Sequence, residues 1–250
     1  MHTPNHATPP AGDAPASQPG TLARVLHAMR EAGAVVGTRP RLLAVSKTRD
    51  AEEIAALAVQ WRALDGGQAA LGFGENYVQE ALAKQPALAG LGIEWHLIGH
   101  LQSNKAKEAA AGFDWVQTLD RPKLIEALAR HRPQAMPPLN VLIQVNIDDE
   151  GSKHGCRPED VPALADAVAA QPRLALRGLM AIPAPEPDMR RRREAFRRMR
   201  ALFDALAAAH PGVDTLSMGM SEDFALAIAE GATMVRVGTA LFGPRKSRDA

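Results

Sequence analysis

Eight short apolar runs alternate along the chain with longer runs rich in alanine, leucine and charged residues that repeat at helical period. This alternation is typical of parallel strands joined by crossover helices. Eight such units within about 225 residues fit a (β/α)8 TIM barrel, which commonly needs a chain of this size. We predict strands at 41–47, 71–77, 95–100, 115–119, 139–147, 176–182, 215–220 and 234–243. We predict helices near 20–36, 50–63, 75–89, 103–110, 121–132, 158–170, 188–209 and 221–230.

A doubly wound open sheet is the alternative architecture for this alternation. It is disfavoured because no G-x-G-x-x-G motif follows the first strand and too little chain remains for a second domain. We therefore expect one α/β barrel domain over 21–245. Its first helix is expected to close the bottom of the barrel and to replace an eighth outer helix. Residues 1–20 hold five prolines and few large apolar side chains, which predicts a disordered tail.

Several helices carry start signals in the sequence. Asp50, Asp120 and Ser221 each precede a predicted helix and are expected to cap it, whereas Pro158 is expected just inside one. Ser221 also belongs to a candidate binding loop.

The chain holds 29 Lys+Arg against 28 Asp+Glu, so no net field attracts a polyanion or a membrane surface. We accordingly expect neither a nucleic-acid nor a membrane partner. The single cysteine, Cys156, cannot form an intramolecular disulfide, and the chain lacks both a long apolar span and a secretory signal. These features predict a cytoplasmic protein, and we expect a monomer. Seven arginines between 190 and 200 are interpreted as the solvated face of an amphipathic helix, with polyanion binding as the alternative.

Polar residues gather where the predicted strands end, which is the end of a barrel where chemistry is found. Lys47 is the strongest candidate for a reactive side chain, because it follows an apolar run at 42–45. Desolvation at the mouth would lower the pKa of its amine and free it as a nucleophile toward an aldehyde. The alternative is a lysine that extends to solvent.

A candidate phosphate cup lies in the loops after the last two strands, where such barrels often bind phosphate. Ser221 and the pair Gly238-Thr239 supply hydroxyl groups and a close backbone approach. An ordinary capping serine and a glycine turn are the alternative. Arg236 shares strand parity with Gly238, which favours the barrel interior.

We expect no metal site. His96 and His100 are four residues apart on one strand with no third ligand at a defined spacing. Cys156 has no base at a defined spacing either, so we interpret it as a bystander.

Seven ordered blocks resemble one family over about 41–243. They are LLAVSKT, FGENYVQEA, WHLIGHLQSNK, QVNIDDEGSKHG, GLMAIPAPE, LSMGMSEDF and MVRVGTALFG. They resemble the pyridoxal phosphate homeostasis proteins, single-domain relatives of the alanine racemase barrel.

This resemblance implies a barrel of pyridoxal 5'-phosphate (PLP) fold type III, with Lys47 as the Schiff-base lysine. It implies that the phosphate is held by Ser217, Ser221, Gly238 and Thr239. It also implies that Arg236 faces the pyridine nitrogen and that Asn76 lies beside the cofactor ring. Lys153, in the SKHG block, is a weaker candidate for transient contact with the aldehyde.

By the same resemblance, the chain is a PLP carrier in vitamin B6 and amino-acid homeostasis, with apo PLP-dependent enzymes as possible recipients. We assign no catalytic residue, because an arginine at the ring nitrogen makes the ring a poor electron sink and the racemases' second domain and its tyrosine have no counterpart. A low-activity racemase or related fold type III enzyme is the first alternative. A Schiff-base aldolase without PLP and a polyanion-binding module are the others.

Overall fold

The computed structural model describes residues 20–65, 70–148, 154–184 and 186–244. Eight parallel strands form a closed barrel in sequence order, and the eighth strand pairs with the first. The predicted (β/α)8 architecture is therefore confirmed. The predicted N-terminal tail lies outside the described residues.

The strands are short and the helices vary widely in length. The strands are β1 (Arg41–Val45), β2 (Leu71–Glu75), β3 (Ile93–Leu97), β4 (Trp115–Leu119), β5 (Leu139–Gln144), β6 (Leu174–Met180), β7 (Thr215–Met220) and β8 (Met234–Val237). The helices are α1 (Thr21–Val36), α2 (Ala51–Asp65), α3 (Val78–Lys84), α4 (Ala106–Gly112), α5 (Pro122–His131), α6 (Val161–Ala169), α7 (Met189–Ala209), α8 (Phe224–Ala229) and α9 (Thr239–Phe242). Short 3₁₀ turns occupy 85–88, 103–105 and 158–160.

The apolar core has an outer and an inner part, because alternate residues of each strand face opposite sides of the barrel wall. The large outer cluster joins the strands to the helices and contains Phe73, Trp95 and Phe196. Inside the barrel, Leu43 packs with Ile98 and Met234. Gly72 and Gly74 make room for Leu43, since a Cβ at either position would lie 3.0–3.4 Å from neighbouring side chains. Leu43 and Val45 thus mark the inner face of β1.

Helix α1 occupies a place in the outer layer. It packs mainly against α8, with further contacts to α9 and α2. Leu22, Val25 and Met29 provide its buried stripe. The expectation that α1 stands in for an eighth outer helix is confirmed, but its packing partners place it beside the barrel rather than across the bottom.

The helix starts agree only in part with the sequence signals. Asp50 caps α2 as predicted, because its Oδ1 accepts the N–H of Glu53 at 2.8 Å while Glu53 Oε2 accepts the N–H of Asp50 at 3.2 Å. This is a reciprocal capping box. Pro158 lies inside the short 3₁₀ turn that leads into α6, again as predicted.

Two cap predictions are wrong. Arg121 occupies the N-cap position of α5 without a side-chain capping bond, and Asp120 instead accepts a hydrogen bond from the Arg121 side chain at 2.6 Å. Helix α8 starts only at Phe224, so Ser221 lies in the preceding turn. The eighth strand is also shorter than predicted, because its last residues, 239–242, coil into α9. Both aspartate and serine are thereby available for other contacts at the mouth.

Within the described ranges, none of the helices combines the length and the apolar character that a membrane crossing requires.

Candidate functional site

Lys47 lies in a tight turn at the mouth, two residues beyond the end of β1. The turn is closed by the N–H of Arg49, which donates to the Ser46 carbonyl at 3.0 Å. Thr48 adopts a left-handed conformation with φ of 65°. A β-branched residue is strained in this region, and such strain concentrates at functional sites. The Lys47 side chain is partly buried, which fits an amine at a half-desolvated mouth.

A buried ion-pair network fixes the residues on either side of Lys47. Ser46 Oγ donates to Glu75 Oε1 at 2.6 Å, and Lys84 Nζ lies 2.9 Å from the same oxygen. Lys84 Nζ also donates to the Ser46 carbonyl at 3.2 Å, and Glu80 Oε1 accepts the N–H of Thr48 at 2.6 Å. Strand β2 and helix α3 therefore hold the backbone before and after Lys47.

Arg236 lies inside the barrel, as its strand parity predicts. It is 3% exposed; Nη1 donates to Ser217 Oγ at 2.8 Å and Nη2 to the Ala181 carbonyl at 2.8 Å. Burial lowers the pKa of Arg236 to about 10, against the opposing charge of Asp223. The guanidinium remains protonated at neutral pH, so the barrel interior holds a fixed positive charge.

A chain of hydrogen bonds runs from Arg236 down the barrel interior. Ser217 Oγ donates to Gln117 Oε1 at 2.8 Å, and Gln117 Nε2 donates to His96 Nδ1 at 2.9 Å. His96 Nε2 in turn donates to Glu94 Oε1 at 2.7 Å, because a carboxylate oxygen can only accept. Burial lowers the pKa of His96, although the hydrogen bond to Glu94 opposes this. Because Nδ1 accepts from Gln117 and Nε2 donates to Glu94, these contacts fit a neutral His96 with its proton on Nε2.

This interior hydrogen-bond chain was not predicted from the sequence. His96 was considered only as a metal ligand, and neither Gln117 nor Glu94 was singled out. Strand periodicity carried the signal, because Glu94 and His96 on β3 and Gln117 on β4 are polar at positions separated by two within apolar strands. This series of hydrogen bonds also gives Ser217 two partners below the mouth, Arg236 and Gln117.

The predicted phosphate cup brings β7 and β8 together. The N–H of Gly238 donates to Ser221 Oγ at 3.3 Å, so Ser221 keeps its own hydroxyl hydrogen for donation. A Cβ on Gly238 would lie 3.2 Å from Val45 Cβ, which brings the cup against the strand that leads to Lys47. Thr239 is exposed at the start of α9. Asp223 is tied to the Met220 N–H at 2.7 Å, which fixes the position of a carboxylate that would otherwise compete with an anion.

Asn76 directly follows β2, and the loop after β3 lies in close contact with its backbone. A Cβ on Gly99 would lie 2.1 Å from the Asn76 carbonyl oxygen, so this approach requires glycine. The candidate site residues thus follow four strands that are neighbours around the closed barrel, in the order β7, β8, β1 and β2. The cup follows β7 and β8, Lys47 follows β1 and Asn76 follows β2. Lys153 lies outside the described residues. Cys156 is buried, and burial raises the pKa of its thiol to about 12, which agrees with its interpretation as a bystander.

The neutral state of His96 predicts a pH dependence of stability. The unfolded chain binds a proton at His96 below about pH 6.5, whereas burial keeps the folded state neutral. Stability is therefore complete above pH 6.5 and falls as the pH drops toward the lowered folded pKa, at up to about 1.4 kcal/mol per pH unit. Urea unfolding of wild type and His96→Gln between pH 7.5 and 5 measures this, and the variant is expected to have the shallower slope. Equal slopes would mean that His96 takes up a proton as readily in the folded protein as in the unfolded chain.

The barrel is that of the alanine racemase N-terminal class. The family model described as alanine racemase, N-terminal domain, matches residues 21–246. The pyridoxal phosphate homeostasis protein of Pseudomonas aeruginosa is 50% identical over 228 residues, covering 90% of this chain and 94% of that protein. The Escherichia coli K12 protein of that name is 50% identical over 230 residues, covering 90% of this chain and 95% of that protein. The chain belongs to the pyridoxal phosphate homeostasis protein family.

A solved structure supports the same placement. PipY of Synechococcus elongatus, whose structure has PLP bound, aligns with a TM-score of 0.72 and 33% identity. The alignment covers 89% of this chain and 98% of PipY.

Proposed function

We propose that this chain binds PLP at the barrel mouth and serves as a carrier of it in PLP and amino-acid homeostasis. Relatives that are half identical over nearly their whole length carry the name of that role, and PipY has been solved with PLP bound. The observation that carries the proposal is the buried, protonated Arg236 beneath a mouth that presents Lys47.

The groups at the mouth fit PLP because they are donors suited to an anion and an amine suited to an aldehyde. Ser221, Gly238 and Thr239 would hold the phosphate through hydroxyl and backbone N–H groups. Lys47 would hold the aldehyde carbon through its amine. Ser217 keeps Arg236 in place, and its assignment as a direct phosphate ligand stays a prediction.

The interior chain gives Arg236 a single orientation. Bound PLP supplies a reactive aldehyde and a ring that can draw electron density from an attached amino group. A cation at the ring nitrogen would disfavour protonation of that nitrogen and weaken the withdrawal. Ser217 and the Ala181 carbonyl hold the Arg236 guanidinium in place for that role. This arrangement suits holding and releasing PLP better than proton abstraction.

Three finer proposals accompany the carrier role. Apo PLP-dependent enzymes are the recipients, and the chain acts in the cytoplasm as a monomer. The inert, buried thiol of Cys156 is compatible with a reducing compartment.

Visible absorbance of the purified protein, before and after added PLP, tests the carrier proposal. A band that appears with PLP and transfers to an apo-enzyme supports it. Protein that stays colourless with excess PLP would contradict PLP binding. Rapid exchange of an amino acid's α-proton with solvent deuterium would instead identify the low-activity enzyme.

The cup is expected to set the affinity for PLP. Ser221→Ala and Thr239→Ala each remove a charge-assisted hydrogen bond to the phosphate, at a cost of about 1.5–3 kcal/mol, or roughly 10-fold or more in affinity. Equilibrium dialysis of each variant measures the loss. Ser103→Ala, which removes a hydroxyl group after β3, is the matched control and is expected to retain wild-type affinity. Wild-type affinity in a Ser221→Ala, Thr239→Ala double variant would exclude this cup.

A further inference from the structure

Two histidines and a carboxylate meet at the mouth on the side away from the cup. His100 follows β3, Asp120 follows β4 and His154 lies in the loop after β5. The imidazole rings of His100 and His154 are stacked, with centroids 3.8 Å apart and planes 16° from parallel. His100 Nδ1 lies 4.0 Å from Asp120 Oδ2, and one ligand atom from each residue lies within 4.8 Å of the others.

The backbone positions of both histidines are fixed by the barrel. Thr118 Oγ1 on β4 donates to the Gly99 carbonyl at 2.9 Å, which anchors the turn that carries His100. Gln144 Nε2 on β5 donates to the His154 carbonyl at 3.2 Å. A bridge between Val145 and Cys156 returns the chain to β5 two residues later. The three side chains therefore converge because three neighbouring strand ends hold them there.

Asp120 is oriented by its neighbour. Arg121 Nη1 donates to Asp120 Oδ1 at 2.6 Å, and Arg121 Nη2 donates to the Leu101 carbonyl at 2.9 Å. The guanidinium thus engages one carboxylate oxygen and leaves Oδ2 directed toward His100. The positive charge of Arg121 would repel a bound cation. However, its hydrogen bond holds it at Asp120 Oδ1, and Oδ2 is the oxygen that faces His100.

The charge state of the histidine pair suits metal binding. Two stacked imidazolium rings would repel each other, so at least one ring is neutral in this geometry. A neutral imidazole nitrogen is the form that binds a metal ion.

We propose that His100, Asp120 and His154 form a binding site for a divalent late first-row transition metal, with Zn²⁺ as the best match. Two imidazoles and one carboxylate are an established donor set for such ions, with a remaining position open to solvent or ligand. Ligand bonds of about 2.0–2.2 Å require the donor atoms to approach more closely than 4.8 Å. Both histidines are exposed, so side-chain rotation alone can bring them together.

The site is separate from the proposed PLP site. A metal bound here would join the loops after β3, β4 and β5, whereas the phosphate cup uses the loops after β7 and β8. Metal binding would thus cross-link one half of the mouth without using Lys47, Ser221 or Thr239. His96 takes no part in this site, because its ring nitrogens contact Glu94 and Gln117. Asp120, which lies outside the helix cap, and His154 join His100 instead.

Titration of the full-length protein with ZnCl₂ in a calorimeter, and with CoCl₂ monitored by visible absorbance, tests this site. We expect one Zn²⁺ per chain and a Co²⁺ spectrum with d–d bands of low-symmetry N/O coordination. His100→Ala and His154→Ala are each expected to weaken binding at least about 10-fold, since even the loss of a residue that only hydrogen-bonds to a metal ligand costs that much. His27→Ala is the matched control, because His27 forms an exposed pair with Glu31 at 3.3 Å on α1.

A second measurement separates metal binding from folding and from PLP. Zn²⁺ is expected to raise the Tm of wild type and of Lys47→Ala equally, because a ligand that binds only the folded state stabilises it. It is expected to leave the Tm of His154→Ala unchanged. Zn²⁺ binding that persists in both His100→Ala and His154→Ala, or a stoichiometry well below one, would overturn the proposal.

Discussion

Lys47→Ala is expected to lose the covalent attachment of PLP completely while the barrel still folds. Borohydride treatment of the PLP-loaded wild type should leave a phosphopyridoxyl mass on a single peptide, the one that contains Lys47. The variant should carry no such mass, and its visible band should shift to that of unattached PLP. The variant is expected to fold, because the contacts of Ser46 with Glu75 and Lys84 still hold the turn. Peptide mass spectrometry and thermal unfolding measure the two effects.

Lys123→Ala is the matched control for this experiment. Lys123 is an exposed lysine on α5, and its removal should leave both the adduct and the band unchanged. A dominant adduct on another lysine, with the Lys47 peptide unmodified, would contradict the assignment. Weak retention of PLP by Lys47→Ala is compatible with it, because the phosphate cup is intact in that variant.

Lys84→Met is expected to destabilise the protein by about 3–5 kcal/mol at neutral pH. Lys84 is the cation beside Glu75, whose side chain is fully buried, and its removal leaves that carboxylate without a compensating charge. Burial raises the pKa of Glu75 above 4.5, while the contacts of Ser46 and Lys84 oppose the rise. Loss of Lys84 should raise that pKa further, so the defect is expected to shrink as the pH falls and Glu75 takes up a proton. Guanidinium unfolding at pH 7 and pH 5 measures both effects.

The double variant Lys84→Met, Glu75→Gln controls for lost packing. A neutral amide at position 75 can still accept from Ser46 Oγ, so the double variant should recover most of the lost stability. It should also lose the pH dependence of the single variant. If the single variant loses less than about 1 kcal/mol, water solvates the Glu75 carboxylate well enough to replace the Lys84 charge.

Periodicity predicted the barrel and the inward direction of Arg236, because strand alternation is a local property that each segment expresses by itself. The sequence predicted that the strand ends share one mouth, and the closed topology places Gly238 beside Val45, on the strand that leads to Lys47. Ser221 was placed in a loop after a strand for the same reason, whereas Asn76 was singled out by the family resemblance. These predictions needed no knowledge of side-chain contacts.

The remaining features depend on contacts between distant segments. Asp120 has the residue type and position of a helix cap, yet the Arg121 side chain competes for its carboxylate. The pairing of Gln117 with Ser217 joins β4 to β7 across the barrel interior, and no local pattern encodes it. The approach of His154 to His100 likewise depends on how the chain continues after β5, which local sequence does not predict. Local sequence therefore determined which residues face the mouth but not which of them meet.

The pairing of β1 with β8 has a consequence for synthesis in the cell. Arg41 aligns with Met234 and Leu43 with Arg236, so the ring closes only between strands from the two ends of the barrel. A nascent chain on the ribosome cannot make this pairing until β8 has left the exit tunnel. Until then β1 has an unpaired edge, and α1 lacks α8 and α9 as packing partners. Closure of the barrel therefore follows translation of the final segment, and until then the free edge of β1 can pair with other chains.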